Sequence, residues 1–259
     1  MNVEIANKLA PARQDLWNKQ TKDSCLNNVK ELIKLENNYE SPSVEKVGTI
    51  VRDTYIIDKI KINSENEMPI PGLLIKPKNF TGTLEAVIYL NEKGKSQYAG
   101  EGGVFEKEFI NSGKIVLAVD LSGIGETRDN YSNPKYGSDD HRLGIVFMYN
   151  GKTLIGQRVE EVFKCIDVLC NDTDVDTHYI SIVGTGRLAP VALHAAALNE
   201  SIKNVTLYNT FSSWMDIVSD ASLLDVMSYI VPGALEYYDL PDLAGSISPG
   251  KVVYVNSIK

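Results

Sequence analysis

Two kinds of hydrophobic spacing follow one another along the chain. Between residues 11 and 35 the apolar positions Leu16, Leu26, Val29, Leu32 and Ile33 recur at helical spacing. Pro11 suits a first helical turn, so the pattern predicts a leading helix ended by "NNYESPS". "TYIIDKIKI" and "IPGLLIKP", joined by the polar "NSENEMP", predict a pair of hairpin-like strands. From there short apolar runs alternate with longer amphipathic stretches. The runs "AVIYL" (86–90), "KIVLAVD" (114–120), "YISIVG" (179–184), "NVTLYN" (204–209) and "KVVYVN" (251–256) predict strands. Between them "GGVFEKEFINSG" reads as a short helix closed by Gly113, and residues 153–170, 188–199 and about 213–231 read as helices. The clearest is 153–170: Ile155, Val159, Val162, Ile166 and Leu169 form one face, with Glu160, Glu161, Lys164 and Asp167 turned away from it.

Buried strands alternating with helices predict an α/β fold, a mostly parallel sheet covered on both faces with an antiparallel N-terminal edge. No repeat or low-complexity linker interrupts it. The expectation is a single domain, with residues 1–40 a helical segment packed on a core formed by 41–259. The stretch "LSGIGETRDNYSNPKYGSDDHRLG" (121–144) reads as a long loop, of the kind that inside compact domains is usually functional or disordered.

Composition narrows the partners. The 259 residues are 43% hydrophobic and 23% charged, enough for a packed core, and the net charge is −8. That balance argues against nucleic acid and anionic membrane as partners, and no apolar run reaches membrane-span length. The start "MNVEIANKLAPARQDLW" lacks the features of a signal peptide, which leaves the compartment open, since a leader removed earlier leaves no trace. Cys25, Cys165 and Cys170 make no disulfide framework and read as thiols filling packed positions. His141, His178 and His194 show no metal spacing, so neither a metal nor another cofactor is expected.

The chemistry centres on "YISIVGTGRLAPVALHAAAL" (179–198), a strand, a Gly turn and an apolar helix. In a G-x-S-x-G nucleophile elbow the Ser sits at the strained apex, flanked two residues away by small residues. Gly184, Thr185, Gly186, Arg187 and Leu188 fill those places. Gly186 can take a positive φ without steric cost, but it carries no oxygen to attack a carbonyl. Leu188 departs from the final small residue. Thr185 is the nearest hydroxyl, and its β-branched side chain suits positive φ poorly. His194 lies within the elbow helix and reads as packed. No His follows it, and Asp239 and Asp242 precede the last strand rather than follow it. The same letters also fit the dinucleotide pattern G-x-G-x-x-A through Gly184, Thr185 and Gly186. The next strand, however, ends in Asn209 and Thr210 where an acid would hold a ribose.

In order and spacing, "IPGLLIKP", "AVIYLNEKGK", "VLAVDLSGIGET", "LIGQRVEEVFKCIDVLC", the elbow segment and "EYYDLPDLAGSISPGKVVYVN" resemble the acetyl-xylan-esterase-like branch of the α/β-hydrolase superfamily, including proteins encoded beside gut bacterial polysaccharide-uptake systems. The resemblance implies a three-layer sandwich on an eight-stranded sheet, with carbohydrate acyl esters as ligands. It implies an oxyanion hole from the Arg187 backbone N–H and one near Glu92, and it places Asp120 and Ser122 in the turn beside the same crevice. It also implies a periplasmic or secreted site if a leader was removed. Against the family pattern, Gly186 replaces the nucleophile, and the final strand, its helix and the triad His are missing. The expectation is therefore a C-terminally incomplete hydrolase fold, catalytically impaired, that retains carbohydrate or acyl-ester binding. The alternatives are an active ester hydrolase with an unusual nucleophile and a dinucleotide-binding domain. If the chain ends at Lys259, the edge of strand 251–256 is expected to pair with a second copy or be covered by a loop.

Overall fold

A computed structural model describes residues 2–36, 40–65, 67–128, 139–220 and 226–257. The predicted leading helix is two helices, α1 (Asn2–Lys19) and α2 (Lys22–Ile33). The break has a local cause: the Thr21 hydroxyl accepts the Ser24 N–H and so caps a new helix. Pro11 lies in the middle of α1 rather than in a first turn. The apolar pattern missed the first turns of α1 because Ala6 and Arg13 are its only buried residues. That helix is held by polar contacts, Arg13 to Asp242 at 3.2 Å and the Trp17 indole N–H donating to the Tyr237 carbonyl at 2.8 Å. Through Leu26, Val29 and Ile33, α2 enters the main core.

The sheet has eight strands: β1 (Ser43–Val51), β2 (Tyr55–Asn63), β3 (Ile70–Pro77), β4 (Leu84–Leu90), β5 (Ile115–Val119), β6 (Val175–Thr185), β7 (Ile202–Tyr208) and β8 (Val252–Val255). Their spatial order is β1-β2-β3-β5-β4-β6-β7-β8. The first three are antiparallel to their neighbours, and β5, β4, β6, β7 and β8 run parallel. The five predicted parallel strands and the antiparallel edge are all found. β1 went unread because none of its residues is buried, which leaves no alternating apolar signal.

Helices α3 (Asp139–Tyr149), α4 (Leu154–Cys170), α5 (Ala189–Leu198), α6 (Trp214–Ser219), α7 (Ala234–Tyr237) and α8 (Leu240–Ser246) complete the described elements, with short 3-10 and π turns between Lys95 and Ser112. Three further readings need correction. α3 occupies part of the predicted loop, whose residues 129–138 lie outside the described ones. The predicted helix over 213–231 is α6 followed, beyond residues 221–225 outside the description, by a 3-10 turn at Val226–Ser228. Cys170 is exposed, while Cys25 and Cys165 are buried. On α4, Glu160, Glu161 and Lys164 lie away from the apolar face and are nonetheless buried. The reason is that α4 is enclosed on several sides. Its apolar stripe meets the sheet, the Glu36 N–H donates to Glu160 at 2.6 Å, Ser122 bonds to Glu161, and Lys164 pairs with Glu67.

Alternate residues of the sheet feed two cores. The larger joins Ile88, Leu117, Ile182 and Leu207 to α2, α4 and α5. The smaller joins Ile57, Ile75, Val87 and Tyr89 to Phe105 and Ile110. Cover is uneven: β8 is the last strand of the sheet, and Val253 on it is 48% exposed.

Candidate functional site

From β4 the chain steps to β5 on one side, while β6, β7 and β8 extend to the other. The carboxyl ends of β4 and β6 are therefore the topological switch point, where open α/β sheets bind ligands. Asn91 and Glu92 follow β4, and Gly186 and Arg187 follow β6.

The elbow backbone forms with glycine at its apex. Thr185 is extended at φ −117°, Gly186 is left-handed at φ +54°, and a 3-10 turn, Gly186–Leu188, leads into α5. Gly184 meets its small-residue requirement, because a Cβ there would lie 2.8 Å from the Ala189 Cα and from the Ala192 Cβ. Leu188 is fully buried, so the final small position is filled by core packing.

The space an elbow side chain would use is occupied. A Cβ built on Gly186 would lie 2.1 Å from Glu92 Oε2 and 2.2 Å from its Cδ. The Arg187 backbone N–H, the first of the implied oxyanion donors, donates to that Oε2 at 3.2 Å. The second, the Glu92 N–H, donates to Thr185 Oγ1 at 3.4 Å. Both donors are thus turned inward on the protein's own groups, one of them charged.

Arg187 continues the arrangement into the interior. Its guanidinium lies 3.9 Å from Glu92 and donates to Asp140 on α3 at 3.0 Å. Asp140 also accepts from the wholly buried Arg158 of α4 at 3.0 Å, and Arg158 Nε donates to the Ser122 carbonyl at 2.9 Å. Burial draws the Arg158 pKa down while Asp140 opposes that shift. The Ser122 N–H and hydroxyl both donate to Glu161, whose pKa is raised by burial against those same bonds.

Asp120 is as fully engaged. Its carboxylate accepts the Lys95 N–H at 2.7 Å, the Lys95 ammonium at 2.6 Å and the Glu126 N–H at 2.9 Å. Of the four residues implied by resemblance, Glu92 and Arg187 therefore meet at the elbow, whereas Asp120 and Ser122 line a neighbouring cavity of about 450 Å³. Asp140, Arg158 and Lys95 were not singled out, and Glu161 only as lying away from the apolar face of its helix; Asp140 falls in the segment predicted as loop.

His194 is packed, as expected. Its Nδ1 lies 2.6 Å from the Pro190 carbonyl, which can only accept, so Nδ1 carries the proton and Nε2 accepts the Tyr238 hydroxyl at 2.9 Å. Burial lowers its pKa to about 4. Asp239 and Asp242 form a capping box for α8 and bind Arg13.

No protein-family model matches the sequence, and no curated protein matches it. Solved structures do resemble it. One is a Bacteroides fragilis protein provisionally called an acetyl xylan esterase, with a TM-score of 0.76 at 15% identity over 90% of this chain and 67% of that one. A glucuronoyl esterase from Solibacter usitatus gives 0.64 at 12% identity over 92% and 74%. Acetyl xylan esterase 1 from Thermoanaerobacterium sp. gives 0.58 at 18% identity over 93% and 81%. The chain spans about two thirds of the length of the Bacteroides fragilis protein. At these identities the likeness is one of fold: the chain has the open, mostly parallel α/β-hydrolase fold found in these esterases.

Proposed function

We propose that this is an esterase-like α/β-hydrolase protein that binds an acylated carbohydrate at the switch-point crevice and does not hydrolyse it. The observation that carries this reading is the Glu92 carboxylate, seated where the elbow side chain would begin and holding the Arg187 N–H. A Ser hydrolase needs that volume for its nucleophile and that donor for the developing oxyanion. Here both are taken by an anion, which repels the negative charge of a tetrahedral intermediate. The same charge opposes a pyrophosphate, so it also weighs against the dinucleotide reading. The substrate class comes from the esterases that share the fold. Glu92 and Arg187 are the proposed contacts, with Asp120 and Ser122 at the border of the crevice.

Calorimetric titration with acetylated xylo-oligosaccharides, combined with an assay of released acetate, tests both halves. The expected result is saturable heat with no acetate release, and weaker binding in Arg187→Ala. Steady acetate release, or no heat at any concentration, would overturn the reading.

A further inference from the structure

Beside the elbow, but not lined by Gly186, Arg187 or Glu92, lies the cavity of about 450 Å³. That volume falls in the range of small-molecule sites, which combine an apolar wall with a few converging polar groups. Leu143 and Phe147 of α3 form part of its wall. Met68 and Val146 also line it and are 75% and 49% exposed, so the opening is rimmed by apolar side chains. Such side chains exposed together at a cavity mouth need a reason that scattered surface hydrophobes do not.

Its polar lining is Asp120, Ser122, Thr127, Arg142 and Glu161; Asp120 is taken up by Lys95 and Glu126, the Thr127 hydroxyl by the Leu121 and Ile124 backbone, and Arg142 is itself partnered. Glu161 is only 5% exposed and accepts three hydrogen bonds: Ser122 N–H on Oε2 at 2.8 Å, the Ser122 hydroxyl on Oε1, and Gln157 Nε2 on Oε1 at 3.3 Å. A carboxylate offers about four acceptor positions, so one remains, on Oε2. A buried carboxylate held by the Ser122 turn, with an acceptor position left and an apolar chamber beside it, is matched by a ligand that brings one donor on an apolar body.

We propose that this cavity binds a small, largely apolar molecule bearing one hydroxyl group, an alcohol or phenol, with the hydroxyl donating to Glu161. No bond to the ligand is made or broken. The cavity shares Asp120 and Ser122 with the border of that crevice but not Gly186, Arg187 or Glu92, so failure of carbohydrate binding at the elbow leaves this inference standing, and the reverse holds.

The test is titration of the full chain with 4-methylphenol, followed by backbone-amide chemical shifts, with toluene as the match that lacks the hydroxyl. The expected result is saturable shifts confined to residues 68–70, α3, the Ser122 turn and α4, with toluene about tenfold weaker, the effect of one buried hydrogen bond. Val146→Trp at the mouth should abolish both. Glu161→Gln should reduce 4-methylphenol to the strength of toluene. If that variant fails to fold, Val146→Trp and the toluene comparison still decide. Equal binding of the two ligands overturns the assigned role of Glu161. No saturable shifts, or unchanged binding to Val146→Trp, overturns the site.

Discussion

Two turns on the same rim of the sheet are built alike and held differently. In each, a carboxylate lies where a glycine has no side chain: Glu92 against Gly186, with 2.1 Å to a built Cβ, and Asp120 against Gly125, with 2.2 Å. Both glycines are left-handed, at φ +54° and +56°. Asp120 is 2% exposed, short, and locked by three donors that include a buried ammonium. The Glu92 side chain is 32% exposed, longer, and held by one backbone bond and a distant guanidinium. The first arrangement is a fixed part of the fold. The second is more exposed and more weakly held, which is why the elbow and not the Asp120 turn is the candidate site.

The comparison breaks if the two carboxylates prove equally important to stability. Asp120→Ala removes the buried partner of the Lys95 ammonium, which is 4% exposed and keeps only the exposed Glu126, and should destabilise the fold toward the lower end of about 3–5 kcal/mol. Chemical denaturation of the variant measures it. A loss no greater than that of a surface substitution would mean Asp120 is not structural.

A pH scan fixes the conditions for such comparisons. The His194 pKa is near 4 in the fold, below its ordinary value of 6.5, so the unfolded chain binds more protons in that interval. Its contribution, on the order of 3 kcal/mol, is present above pH 6.5 and lost as pH falls through 4. His194→Phe should flatten that part of the stability curve. An unchanged slope would place the acid sensitivity elsewhere.

The glycines sharpen the contrast. Gly125→Ala forces a Cβ into an immobile carboxylate at positive φ and should cost roughly 2–4 kcal/mol. Gly186→Ala meets a carboxylate able to swing into solvent and should cost about 1–2 kcal/mol, mostly backbone strain. Equal thermal shifts would remove the distinction between the two carboxylates. Smallest of all, Glu92→Gln should change stability by less than about 1 kcal/mol, as for other partly exposed pairs.

The fold was legible because its central parallel strands, β4, β5 and the end of β6, are buried and read as apolar runs, "AVIYL" and "YISIVG" among them. β1 was not, since an edge strand with no buried residue has no hydrophobic period. The empty elbow was legible too, because Gly186 is a single letter in a known turn. Its occupant was not. Glu92 lies 94 positions before Gly186, and only the pairing of β4 with β6 brings them together. The buried charges of α4 were hidden for a related reason: Glu161 and Lys164 look solvated in a helical pattern until Ser122 and Glu67 arrive from distant turns.

The central claim is that the elbow holds a carboxylate and no nucleophile. It is tested most directly by hydrolysis of p-nitrophenyl acetate by the chain at neutral pH. An intact oxyanion hole without its triad still accelerates such reactions by roughly 10³ over water, and here the Arg187 donor is already taken by Glu92. The expected rate is that of an inert protein of similar surface, unchanged by a Ser-directed fluorophosphonate and by Thr185→Ala. Turnover well above that level, abolished by the inhibitor or by Thr185→Ala, would contradict the account.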